Sequence, residues 1–340
     1  MSLRWLRRRW KRRVWLYVRR RVRPLAVVPV DEYRLTVDLH DRMLGRLLYL
    51  GGDHEPEVRA LMRCLPLDGG VCLDVGANVG LHTMVMSRRV GPAGRVFAFE
   101  PDPHNFRLLE ANLRLNGAGN VTARQCAIGD ADGVCRLARN PRNYADCRVT
   151  SDLLAWGAHE VSMTTLDAAL PDLPPGALRF LKLDVQGSEC RVLRGMSRTL
   201  ARHPDLVMVV EVFPAGLRQA GASARELIAL LADLGFVGWE FTRDRVQPMA
   251  PPWVYDLMTG GTTDVVVARD EKRLRDLVSR WRGVALESTR RRLPDAAREH
   301  VEGQEAGDDT VGEHRGAGGR VMDVGGPKQR TLGAPRAKEG

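Results

Sequence analysis

From Val71 onward, short apolar runs alternate with longer stretches whose apolar positions recur every three to four residues. VCLDV (71–75), RVFAFE (95–100), LRFLKLD (178–184) and LVMVVEV (206–212) read as strands that are apolar on both faces. VTARQCAI (121–128) reads as another strand, and 237–242 and 262–268 as late ones. Between them, residues 56–65, 79–90, 103–116, 189–201 and 224–234 carry helical spacing. Residues 130–178 are polar and irregular apart from a short helix at 164–170. This alternation predicts an α/β fold, a mostly parallel sheet with helices on both faces.

The two ends of the chain break the pattern. Residues 1–23 hold eleven Arg or Lys and no acid, so of the net charge of +10 the remaining residues contribute −1. Read as a helix, Leu3, Leu6, Trp10, Val14 and Tyr17 fall on one stripe among arginines. Such a segment fits an anionic membrane surface or an acidic partner, or is simply a solvated extension. After Trp281 no aromatic residue occurs, and 285–340 contains ten glycines. That stretch is expected to be disordered, because it cannot bury enough apolar area to offset its ordering entropy. The expected organisation is a basic N-terminal extension at 1–30, a domain at 31–270, a C-terminal helix at 271–284 and the tail at 285–340.

Composition narrows the chemistry. The near-neutral charge of the residues after 23 argues against a broad nucleic-acid-binding surface. None of the six cysteines forms a Cys-x-x-Cys pair and no histidine cluster accompanies them, so no metal site is expected. Scattered cysteines in apolar company fit a reducing, cytoplasmic setting, with attachment to the inner face of a membrane through residues 1–23 as an option. No run approaches the length of a spanning helix.

LDVGANVG (73–80) places a tight turn between a strand and a helix. Gly76 permits the turn and a close ligand approach, and Gly80 lets the helix pack nearby. The loop lacks the Gly-x-Gly-x-x-Gly pattern and a Walker lysine, and Asp74 would repel a phosphate. An acid there suits a cationic ammonium or sulfonium centre. Glu100, at the end of the next strand, is placed to accept both hydroxyls of a ribose. A ribose at Glu100 and a cationic methionine moiety near Asp74 together describe S-adenosylmethionine.

At this point the sequence resembles the FkbM family of S-adenosylmethionine-dependent methyltransferases. The resemblance is carried by DHEPEVRAL (53–61), LDVGANVGLHT (73–83), FAFEPDPHNFRLLEANLRLN (97–116), CAIGDADG (126–133), TTLDAAL (164–170) and LKLDVQGSECRVLRGM (181–196), and it covers about 50–245. It implies a Rossmann-like class I methyltransferase fold, with a seven-stranded sheet and one reversed edge strand. It also implies O-methyl transfer to a hydroxyl of a sugar, glycan or natural product. Under it, Asp74, Gly76, Asn78 and Gly80 would line the cofactor loop, Glu100 would hold the ribose, and Asp130 would sit beside the adenine. Asp184 and Glu189 match the acids of the family's Asp-x-Glu-Gly-x-Glu motif, and Gln186 stands where that motif has a glutamate.

Ligands of an open parallel sheet bind at the carboxyl ends of its strands, so Asp184 is expected to face the transferred methyl and to accept or orient the acceptor's proton. Gln186, Glu189, Glu211 and His82 are candidates for the acceptor side; Glu189 also suits the first turn of its helix, and His82 also reads as a packed residue. The acceptor pocket is expected from 135–163 and 213–260. Two other readings share the cofactor: an RNA methyltransferase that grips phosphates with residues 4–23, and a non-catalytic cofactor-binding protein tethered by its tail. The first lacks the Asn/Asp-Pro-Pro-aromatic motif of base-amine methylation.

Overall fold

A computed structural model describes residues 16, 18–150, 157–241, 246–256 and 261–292. The chain divides after Ser288, and everything that follows concerns the first unit. Most of the basic segment, residues 1–15 and 17, and the tail from 293 lie outside the described residues.

After helical residues at 18–22 come two strands, β1 (Leu25–Val30) and β2 (Tyr33–Asp38), paired as an antiparallel hairpin. The ordered domain therefore begins before residue 31, where the extension was expected to end. In β1, Ala26, Val28 and Val30 are buried while Leu25, Val27 and Pro29 are exposed, a period of two that the sequence hides because all six residues are apolar.

The main sheet is built from β3 (Val71–Val75), β4 (Arg95–Phe99), β5 (Val121–Arg124), β10 (Leu178–Leu183), β11 (Val207–Val212), β12 (Val237–Phe241), β13 (Val246–Pro248) and β14 (Thr263–Ala268). Its order is β13-β12-β14-β11-β10-β3-β4-β5. From β11 to β5 all neighbours are parallel. The expected strands are present, with two corrections. The sheet has eight strands because β13 adds to β12 as a short hairpin. Two strands run against the parallel set, β13 at the edge and β14 between β11 and β12.

Successive residues of the central strands feed separate cores. Cys72, Val207 and Val209 pack with the hairpin and with the helices Pro56–Cys64 and Leu81–Val90. Leu73, Met208 and Val210 pack with the helices Glu189–Arg194 and Ala224–Asp233. Helices thus cover both faces, as the apolar runs required. Strand order reverses between β3 and β10, which opens a crevice at their carboxyl ends.

Residues 130–178 are not irregular. The expected strand 121–128 breaks, and its end, β6 (Ala127–Ile128), leaves the main sheet. It joins β7 (Gly133–Asn140), β8 (Asn143–Val149) and β9 (His159–Thr164) in a second sheet of order β6-β9-β7-β8. Its core is small, Ala127, Cys135, Leu137 and Val161, so too few inward positions exist to mark the strands in the sequence. The expected helix 189–201 divides into Glu189–Arg194 and Ser197–Arg202, because the chain passes so close to Gly129 that a Cβ on Gly195 would lie 2.0 Å from its carbonyl oxygen. The C-terminal helix runs Glu271–Arg292, eight residues past its expected end.

Asn112 ties the hairpin to the crevice. It is fully buried, its Oδ1 accepts from Thr36 N at 2.6 Å, and its Nδ2 donates to Thr36 O at 3.1 Å and Val79 O at 2.8 Å. Replacing it with alanine strands three backbone groups, so Asn112→Ala should lower unfolding free energy by about 2–4 kcal/mol, read from urea denaturation with an unchanged m value.

Candidate active site

The crevice is shaped by the loop after β3. Gly76 has φ +90°, and a Cβ there would lie 1.8 Å from Asp184 O. Only glycine lets this loop cross the end of β10. Gly76 N and Ala77 N both donate to Phe99 O, at 2.9 and 3.0 Å, so the loop also crosses β4. Asn78 is left-handed (φ +51°), and its N–H donates to Glu100 Oε2 at 2.8 Å. Glu100 Oε1 accepts from Asp102 N at 2.9 Å. The carboxyl is 4% exposed, and burial, opposed by those two amides, pushes its pKa up to about 8. Glu100 borders a hollow of ≈ 840 Å³, partly open to solvent, whose walls include Gly76, Phe99, Cys126, Ala127 and Ile128. A fixed carboxyl beside flat apolar walls fits a ribose diol with an attached aromatic base.

Lys182 on β10 and Asp184, the residue just past its end, also border the hollow. Lys182 is 3% exposed; its Nζ lies 2.7 Å from Asp184 Oδ2 and 3.4 Å from Glu55 Oε2. Burial opposes its charge, yet Asp184 and Glu55 hold its pKa well above the lysine range. Burial likewise opposes ionisation of Glu55, but Lys182 and His54 hold it well below the carboxylate range. His54 Nε2 lies 3.1 Å from Glu55 Oε1, and His82 Nε2 lies 3.4 Å from Glu55 Oε2. His82 is buried, and its pKa is held well below normal by burial and by Lys182.

Gln186, left-handed at φ +56°, donates from Nε2 to Asp184 Oδ1 at 2.8 Å and to Glu211 Oε2 at 2.7 Å. Burial first, and then Asp184, push the Glu211 pKa well above the carboxylate range. One amide therefore joins two acids that would otherwise repel each other.

Of the residues expected from sequence, Gly76, Asn78, Glu100, Asp184, Gln186 and His82 meet at the hollow. The others do not border it. Asp74 lies behind the loop, accepting from Thr83 Oγ1 at 2.5 Å, with its pKa pushed by burial to about 6; it shapes the loop and does not face a cationic ligand. Gly80 packs against Leu109, where a Cβ would come within 2.6 Å of Cδ1. Asp130 is held by Arg191 at 2.8 Å, and from the same stretch of chain Cys126, Ala127 and Ile128 line the hollow. Glu189 accepts from Val185 N and Gly187 N, both at 3.1 Å, and closes the turn after β10, the structural one of its two readings. Glu211 stands behind Gln186.

Sequence reasoning missed His54, Glu55 and Lys182, which border or brace the hollow. Lys182 could have been found, since a lysine interrupting an apolar strand two residues before a terminal acid demands a partner. Nothing local marks His54 or Glu55. From the segments expected to form the acceptor pocket, Leu137, Cys147 and Val149 reach the hollow, and residues 151–156 lie outside the described ones. No cluster of metal-ligating side chains exists among the described residues, and no described helix is long and apolar enough to cross a membrane.

The methyltransferase FkbM domain model matches residues 74–237. The chain is 31% identical over 208 residues to methyltransferase sdnD of Sordaria araneosa, covering 52% of this chain and 75% of that protein. It is 32% identical over 200 residues to the 31-O-demethyl-FK506 methyltransferase FkbM of Streptomyces tacrolimicus, covering 49% and 73%. It is 28% identical over 172 residues to the hexuronic acid methyltransferase AglP of Haloferax volcanii, covering 48% and 62%.

Removing the ammonium at position 182 leaves two carboxylates facing each other without a cation. Lys182→Met should cost about 3–5 kcal/mol of stability, measured by denaturant unfolding against the unsubstituted protein.

Proposed function

This chain belongs to the FkbM methyltransferase family, and from that premise and the geometry of its site we propose that it transfers a methyl group from S-adenosylmethionine to a hydroxyl oxygen of a sugar, glycan or natural product. The observation that carries the reading is Glu100, clamped by two backbone amides beside the glycine loop, one strand away from the Lys182–Asp184 pair. When bound, the cofactor supplies an electrophilic methyl carbon; transfer forms a C–O bond and breaks the S–C bond, whose electron pair stays on sulfur, so the protein must receive the hydroxyl proton.

Each residue then has a task. Glu100 accepts the ribose hydroxyls, while Ala127 and Ile128 offer the apolar wall for the base. Asp184 orients the acceptor rather than taking its proton. Its two oxygens already accept from Lys182 and Gln186, and a proton on Oδ2 would compete with a buried ammonium 2.7 Å away. Most of the rate gain in such a reaction comes from holding oxygen, carbon and sulfur in line. The hydroxyl acceptor is supported by relatives named for 31-O-demethyl-FK506 and for a hexuronic acid.

Incubation with methyl-labelled S-adenosylmethionine and a panel of hexuronic acids, neutral sugars and hydroxylated macrolides should yield an O-methyl product by mass spectrometry. Label found only on nitrogen, on RNA or on nothing would reject the reading.

Binding of S-adenosylhomocysteine should be linked to Glu100. Because burial raises its pKa to about 8 in the free protein, the carboxyl is largely protonated at pH 7. Ribose hydroxyls donate better to the ionised form, so affinity should rise from pH 6 to pH 9 and then level off. Hydrogen bonds to a charged group contribute ~1.5–3 kcal/mol each, so Glu100→Gln should weaken binding at pH 9 at least tenfold and flatten the pH profile; calorimetry reads both.

A further inference from the structure

The transferred methyl displaces a proton, and most groups around the hollow cannot receive it. Lys182 is charged and has no lone pair. Asp184 is committed to Lys182 and Gln186. Glu211 lies behind Gln186, whose Nε2 donates to its Oε2 at 2.7 Å, and does not border the hollow. His82 is 7% exposed, with its Nε2 directed at Glu55. His54 differs. About a third of its side chain (34%) is exposed, its ring borders the hollow, and its Nε2 lies 3.1 Å from Glu55 Oε1.

An ionised carboxylate only accepts hydrogen bonds, so the neutral imidazole facing it must carry its proton on Nε2. The lone pair is then left on Nδ1. Glu55 reaches the ring of its own neighbour because its backbone is left-handed, φ +46° and ψ +52°, a strained state for a residue with a side chain. The segment is anchored from below: buried Arg59 donates from Nη1 to His54 O and from Nε to Asp31 Oδ2, and pairs through Nη2 with Asp53.

We propose that His54 is the proton acceptor for the incoming hydroxyl and that Glu55 is the positioning residue that fixes its ring. The inference rests on the hydroxyl-methylation reading. As the new C–O bond forms, the hydroxyl proton passes to Nδ1, and the resulting imidazolium stands against the Glu55 carboxylate until solvent takes the proton. The surroundings agree: burial opposes a charge on His54, Glu55 and Asp184 favour it, Lys182 opposes it, and the net shift is upward. The sequence carries the pair inside DHEPEVRAL, where Pro56 starts the next helix directly after Glu55.

Two arms test this. The first needs no acceptor. Histidine ¹⁵N and ¹³C spectra of the full chain, with His54 assigned by its loss in His54→Gln, should show the Nε2–H tautomer when neutral and a pKa above the usual histidine value. Glu55→Gln should lower that pKa and mix the tautomers. An Nδ1–H tautomer, or a titration unchanged by Glu55→Gln, overturns the dyad. The second arm is single-turnover transfer to whichever acceptor the panel identifies. His54→Gln should slow it ~10²-fold or more with affinity for S-adenosylhomocysteine unchanged. A rate within threefold overturns the proton-acceptor role. If no hydroxylated acceptor is methylated by the unsubstituted protein, the hydroxyl reading itself falls, while the spectra still decide whether the dyad exists.

Discussion

A single buried ammonium organises this site. Lys182 sits inside a strand that is covered on both faces, where an unpaired charge is untenable. Its partners come from different parts of the chain: Asp184 from the end of its own strand, and Glu55 from the turn before the helix Pro56–Cys64. Asp74 on β3 and Asp264 on β14 add negative field from either side. The carboxyl ends of β3 and β10, the amino end of the antiparallel β14 and the turn at 53–55 are therefore bound together by the need to compensate one charge.

The same constraint explains Gln186. Its left-handed backbone places the side chain between Asp184 and Glu211, with Nε2 within 2.8 Å of both carboxyl groups. A glutamate there would bring a third acid to the same point and, when ionised, could donate to neither neighbour, whereas the amide donates to both. The substitution thus keeps the shape of the site and removes a titratable group from it. Gly187 makes this turn possible, since at φ +115° a Cβ would lie 2.3 Å from the Gly216 carbonyl carbon.

Elements far from the chemistry hold the cluster in register. The β1–β2 turn supplies Asp31, which receives both Arg59 and Arg63, and Arg59 in turn grips the backbone of His54. Asn112 fastens β2 to the backbone just past the glycine loop at Val79. The N-terminal hairpin is therefore part of the active-site scaffold. On the far side, Asn105 donates to Tyr144 O at 2.8 Å, which ties the second sheet to the helix that follows Glu100.

The sequence by itself determined the parallel α/β core, the glycine loop, Glu100 and Asp184, because each is written locally. Apolar runs define strands, Gly76 marks a turn that only glycine can make, and acids at strand ends lie where an open sheet binds ligands. Tertiary structure alone decided the rest. β7, β8 and β9 have too small a core to show a pattern, and β1 shows no alternation because its exposed residues are as apolar as its buried ones. Asp74 and Asp130 carry acids at the expected places, yet Thr83 and Arg191 turn them away from the hollow. Glu55 and Lys182 are 127 positions apart, and His82 lies between them in sequence. Their meeting depends on long-range packing, and with it the charge state of every group in the cluster. Local sequence can name an ionisable side chain, but its partners and burial, which set its protonation, exist only once the chain has folded.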